Sequence, residues 1–206
     1  MDSPPKRVLP RAAEREQIGV CHDSRMWYTQ KRIYGQEGGI PMNADPVLLE
    51  TYRTLLKTTD LQKAYQEFIR LFRFLRNELE RQLPDFRFQS TIAENAMDYA
   101  YFSFTNPALK EKGLKLVVVF VHKDFQLELW LSGLNRTAQC RWAKYFGTCT
   151  PPMELTQDPN HTDFVVRLPI KTDLTDGEKM VASVKKAADE LLQKVESAAV
   201  AAQLRG

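Results

Sequence analysis

LKLVVVFVHKDFQLELWLS, Leu114 to Ser132, is the stretch on which the fold turns. Two runs rich in β-branched and aromatic residues, each a strand long, flank the polar pair Lys123-Asp124, and this reads as a β-hairpin. Lys-Asp is not a favoured two-residue turn, yet with this pair at the tip Phe120 falls opposite Leu127 and Val118 opposite Leu129. Side chains alternate across a strand, so one face then carries Leu116, Val118, Phe120, Leu127, Leu129 and Leu131. That face is the expected core.

Working outward, two further strands precede the hairpin, at about Phe86 to Ala93 and Met97 to Phe104. They add Phe86, Phe88, Ile92, Phe102 and Phe104 to the core face, and the short connections favour an antiparallel meander. Before them Asn43 to Thr58 reads as a short helix. Asp60 then reads as the N-cap of a long one reaching about Leu83, with apolar residues recurring at positions 61, 65, 68, 72, 75 and 79. Its other side mixes Lys63, Arg70, Arg73 and Arg76 with Glu67, Glu78 and Glu80, the pattern of a solvated helix surface. Pro84 ends it. After the hairpin, Asn135 caps a helix from Arg136 to about Phe146, a loop leads to a fifth strand near Phe164 to Leu168, and a long helix runs from about Asp176 to Gln203 with Met180, Val184, Leu191 and Val195 at core spacing. The order α-α-β-β-β-β-α-β-α gives an α+β fold. It implies an antiparallel sheet of four to five strands with a long amphipathic helix before it and a long C-terminal helix after it.

The second face of the sheet is mixed. It collects Arg87, Gln89 and Thr91; Tyr99, Tyr101 and Ser103; Lys115, Val117 and Val119; and Gln126, Glu128 and Trp130. Two readings compete. In one, the C-terminal helix lies across this face, its alanines approaching Val117 and Val119. In the other, the face is a binding surface, with Tyr101 and Trp130 supplying stacking area, Arg87 and Lys115 meeting an anion and Glu128 accepting a donor. The candidate ligand-binding residues are therefore Arg87, Tyr99, Tyr101, Lys115, Glu128 and Trp130, and the expected partner is a small planar ligand or another protein.

Composition narrows the classes. The chain has 206 residues, 43% hydrophobic and 27% charged, enough for one sizeable core. A net charge of +3 without a basic cluster argues against nucleic acid or an anionic membrane. Cys21, Cys140 and Cys149 form no CxxC pair, so neither a disulfide framework nor a zinc site is implied and a reducing cytoplasm fits. No apolar run approaches the ~20 residues that span a bilayer. Residues 1 to 41 hold four of the eleven prolines and four of the nine glycines and show no helical or strand periodicity. They read as a disordered leader or as translated upstream DNA, because Gln36-Glu37-Gly38 can be encoded by a purine-rich ribosome-binding sequence just before Met42. On that reading residues 42 to 206 form a single domain.

Catalytic signatures are missing: there is no GxSxG, HExxH, GxxxxGK[ST] or GxGxxG. His22, His122 and His161 are scattered, and neither Cys140 nor Cys149 has a partner nearby in sequence. No catalytic residue, metal ligand or cofactor is assigned, and the balance leans away from an enzyme. The alternative is a divalent-metal phosphodiesterase of restriction-endonuclease-like order, with Asp98 on the second strand and Glu128 as ligands. There, however, Glu128-Leu129-Trp130 places tryptophan where an E-x-K pair needs lysine. A structural or protein-interaction domain is the third possibility.

Three segments together resemble a known pattern: the helix LQKAYQEFIRLFRFLRNELE, the strand MDYAYFSF, and the LK-apolar strand followed by LELWLSG and Asn135-Arg136. In these the chain resembles an uncharacterised bacterial family of roughly domain size, a domain of unknown function, from about Tyr52 to Phe146 and more loosely to the end. The resemblance implies a compact bacterial domain and no particular activity. It places Asp98, Tyr101, Trp130, Asn135 and Arg136 inside the shared pattern.

Overall fold

A computed structural model describes residues 44–204. The expected leader and the expected start at Met42 lie outside the described residues. Helix α1 (Pro46–Thr58) starts where the Asp45 carboxylate accepts from the Val47 and Leu48 amides, with Pro46 at the first helical position. Helix α2 (Leu61–Gln82) follows and buries Ile69, Phe72, Leu75 and Leu79. Its start differs from expectation: Asp60 makes no side-chain cap and instead pairs with Lys63 at 2.9 Å, while the Thr59 hydroxyl takes the Leu61 amide. Arg76 also departs from the solvated face. It is buried, donating from Nε to the Gln89 carbonyl at 2.8 Å and from Nη1 to Glu80 at 3.0 Å, so it ties the helix to the chain that enters the sheet.

The sheet comprises β1 (Arg87–Phe88), β2 (Ala93–Asn95), β3 (Tyr99–Thr105), β4 (Leu114–Val121), β5 (Gln126–Gly133), β6 (Glu154–Leu155) and β7 (Val166–Ile170). All pairings are antiparallel, in the order β1-β3-β4-β5-β7-β6 with β2 also on β3. The fold is α+β, as the sequence implies, with a slightly larger strand count. The segment expected as one strand from Phe86 to Ala93 is two short pieces that both pair with β3. The two-residue β6 and the five-residue helix α3 (Pro107–Glu111) are additional. The central hairpin has the expected register, Phe120 against Leu127 and Val118 against Leu129, and its chain reversal occupies His122 to Phe125.

Helix α4 (Arg136–Phe146) begins at Asn135, whose side chain accepts from the Ala138 amide at 2.9 Å, and α5 (Gly177–Gln203) begins at Asp176, which accepts from Lys179 at 3.0 Å. The side on which α5 packs decides where a site is possible. Met180, Val184, Ala187, Ala188, Leu191 and Val195 share one buried cluster with Phe72 and Leu75 of α2 and with Phe102, Leu116, Phe120, Leu129 and Leu131 of the sheet. The alanines of α5 thus serve the leucine and phenylalanine face. Gly177 lets α5 approach α2 closely, because a Cβ there would sit 2.5 Å from the Phe74 ring. The idea that α5 covers the mixed face is therefore corrected: both long helices lie on the other side.

Candidate functional site

Cross-strand pairing lays the mixed face out in rows. One row runs Ser103, Val117, Trp130, Arg167, Glu154, and the next runs Ala93, Tyr101, Val119, Glu128, Pro169. Tyr99 stands beside them, opposite Val121. Val117, Val119, Val121 and Trp130 form a second buried cluster, separate from the main core, against which Tyr99, Tyr101 and Phe164 pack. No helix among the described residues contributes to it. The centre of this face is closed by aromatic rings of the sheet and the Phe164 loop.

Trp130 is the hub. Its ring lies 6.1 Å from Tyr99 and 5.3 Å from Phe164, both inclined, the geometry that aromatic quadrupoles favour over flat stacking. Its Nε1 donates to Glu128 Oε2 at 2.6 Å, between two side chains only 7% and 5% exposed. A buried carboxylate requires such compensation. Arg167 contributes the nearby positive charge: its guanidinium stands 5.4 Å over the Phe164 ring and donates from Nε (2.9 Å) and Nη2 (2.6 Å) to Glu154. Burial works against the Arg167 charge. The Glu154 bond and the charges of Glu128 and Glu154 outweigh it, so the guanidinium is held above its ordinary range. Tyr99 is pushed up, first by burial and then by the carboxylates of Asp98 and Glu128.

Four of the six candidate residues, Tyr99, Tyr101, Glu128 and Trp130, fall in this central group. Lys115 pairs with Ser132, toward the end of the hairpin away from its tip. Arg87 pairs with Thr105 on the edge strand β1, three strands from β5 and thus about 14 Å away at ordinary strand spacing. Sequence reasoning did not find Arg167, Glu154 or Phe164. The alternation in Val166-Arg167-Leu168 was a signal that Arg167 faces away from the core, but nothing local says that β7 pairs with β5. Asp98 and Glu128 do not assemble a metal centre with other ligands: among the described residues no group of three or more His, Cys, Asp or Glu side chains is placed to hold an ion. The Glu128 carboxylate is engaged by an indole where the nuclease pattern has lysine.

A second polar concentration lies at the hairpin end, where the Tyr65 hydroxyl donates to Glu94 at 2.9 Å. Burial, then that bond, lifts Tyr65 to about 12. His122 sits against the Tyr65, Phe68 and Phe120 rings at 5.8, 4.9 and 5.1 Å, and burial lowers its pKa against the pull of Asp98 and Glu94.

The molecule is thus defined as an α+β domain whose antiparallel sheet carries helices on one face and an aromatic, charged surface on the other. The chain belongs to the family described as Domain of unknown function (DUF7000), which it matches over residues 46–199, from the first turn of α1 into the last turns of α5. Searches of curated proteins and of solved structures return no significant match. No helix among the described residues is long and apolar enough to cross a membrane.

Proposed function

We propose that this is a binding module of the bacterial cytoplasm, which takes a small planar ligand on the mixed sheet face. The observation that carries the reading is the Tyr99–Trp130–Phe164 row beside a buried carboxylate, on a face that no described helix occupies. The half-buried Tyr99, Tyr101 and Phe164 rings supply apolar area at little conformational cost over the buried Trp130–Glu128 pair, whose carboxylate accepts from a ligand N–H once those rings part. Arg167 lies one strand over for a polar or anionic substituent. Among the described residues Cys140 and Cys149 are free thiols, which suits a reducing compartment.

The test is a thermal-shift and NMR screen of heteroaromatic compounds and nucleotides, with and without Mg²⁺ or Mn²⁺. A ligand at a hundredfold excess over its Kd stabilises the native state by about 2.7 kcal/mol. The expected result is stabilisation without metal, with the Trp130 indole N–H and Tyr99 resonances shifting. Stabilisation by metal alone, or shifts that leave Trp130 and Tyr99 untouched, refutes the proposal.

A further inference from the structure

We infer that α1 is a self-association element through which two copies of this chain pair antiparallel. Among the described helices only α1 buries no residue. Yet it is strongly amphipathic: at 100° per residue, Leu48, Leu49, Tyr52, Leu55 and Leu56 fall within one third of its circumference, with Arg53 flanking this stripe and Glu50 and Lys57 on the far side. Those five side chains are between 37% and 66% exposed, decreasing toward the α2 end. Together they present roughly 500 Å² of apolar surface, the size of the largest such patch on an ordinary monomer.

The order of the apolar residues identifies the occupant. Leu48-Leu49, Tyr52, Leu55-Leu56 reads the same in both directions about Tyr52. An antiparallel two-fold interface sets residue i of one copy against residue j of the other and j against i, so a stripe that is its own reverse is self-complementary. With Tyr52 on the axis, Leu48 meets Leu56 of the second copy and Leu49 meets its Leu55. Glu50 then falls level with Thr54, and Arg53 with Thr51, so no like charges are opposed. Steps of four and three along Leu48, Tyr52 and Leu55 are those of an antiparallel helix seam. Two patches facing each other bury about 1,000 Å², the level at which a specific though weak interface becomes stable. The family match begins at residue 46, so this helix lies inside the matched region.

Sedimentation equilibrium and light scattering on the full chain test the pairing. The expected result is a mass rising from 23.8 kDa toward twice that value across the micromolar range. L48E weakens association about tenfold or more. Adding L56K to it restores most of the loss, because the introduced carboxylate of one copy then meets the introduced ammonium of the other at both ends. Within one chain the two positions are eight residues apart and do not touch. Thermal melts confirm that the variants fold, as expected for exposed positions. A mass of 23.8 kDa at every concentration, or a dimer indifferent to L48E, overturns self-association through α1. A double variant no better than L48E overturns the antiparallel pairing.

Discussion

Replacing Trp130 with phenylalanine removes one hydrogen-bond donor from the mixed face, together with part of the ring that packs on Tyr99 and Phe164. The indole N–H lies 2.6 Å from Glu128 Oε2, and both side chains are buried. A hydrogen bond to a charged group contributes about 1.5–3 kcal/mol, and losing the donor leaves a carboxylate under-compensated where water does not easily replace it. W130F is therefore expected to lose about 2–3 kcal/mol, which for a chain of this size lowers Tm by about 4–12 °C. Trp142 supplies an internal control. It is equally buried, but its indole donates to a neutral acceptor, the Lys112 carbonyl, at 2.9 Å. W142F should lose only the ordinary bond of about 1 kcal/mol beyond its packing change. Urea denaturation of wild type, W130F, E128L and the W130F/E128L pair closes a double-mutant cycle. With the pair near wild type and each single variant weaker, the expected coupling is the sum of the two single losses, about 3 kcal/mol or more. A coupling under about 0.5 kcal/mol, or a W130F no worse than W142F, refutes the assignment of this bond as the tie that holds the face together.

Three other consequences are open to measurement. Asn95 to Asp98 makes a turn closed by the Asp98 amide on the Asn95 carbonyl at 2.7 Å, with φ of 45° at Ala96 and 60° at Met97. Left-handed geometry at both central positions suits Asn-Gly, so A96N/M97G is expected to raise stability by about 1–2 kcal/mol in a denaturant titration. Gly133 has no such room: a Cβ would lie 2.5 Å from the Gln139 amide nitrogen and 2.8 Å from the Asn135 carbonyl oxygen, both backbone, so G133A should cost about 3 kcal/mol and a failure to destabilise would contradict the packing of α4 on β5. Burial lowers the folded-state pKa of His122, so the neutral ring is the favoured form in the native state. Stability from this residue is complete above the unfolded pKa of about 6.5 and is lost as pH falls through the folded value; H122F should flatten that part of the pH–stability curve.

How much of this was legible in the sequence depends on how local the determining contacts are. The β4–β5 register was readable because a hairpin ties its pairing to its own tip, and every apolar side chain on one face confirmed the same count. Helix α5 was readable for the same reason, its Met180, Val184, Leu191 and Val195 keeping one periodicity. The side on which α5 packs was not, since Val117, Val119 and Trp130 make the second face look as if it needs a cover. Width decides it. Six strands side by side span about 24 Å, and a helix covers about 10 Å, so the leucine and phenylalanine face takes α2, α5 and α4 together. Arg167, Glu154 and Phe164 stayed hidden because β7 reaches β5 only through α4 and a long loop. The short α3 had a readable signal, Asn106 followed by Pro107, a cap and a first-turn proline.

The position of Glu128 bears on the proposed binding as well as on folding. In its row it stands between Val119 and Pro169, where an aliphatic side chain would complete an apolar strip. Burying a carboxylate costs several kcal/mol, and one indole bond with a guanidinium a strand away offsets that cost without making the arrangement better than a hydrocarbon. Replacing both members of such a pair by apolar groups is commonly neutral or stabilising. The W130F/E128L pair should therefore be about as stable as wild type, although each single variant is weaker. Stability alone gives no reason for a carboxylate and an indole at the centre of this face, whereas the proposed ligand would, by donating a hydrogen bond. The decisive comparison is the compound screen repeated on the double variant. A fold of unchanged stability that no longer responds assigns Glu128 and Trp130 to recognition. An undiminished response places the ligand elsewhere on the molecule.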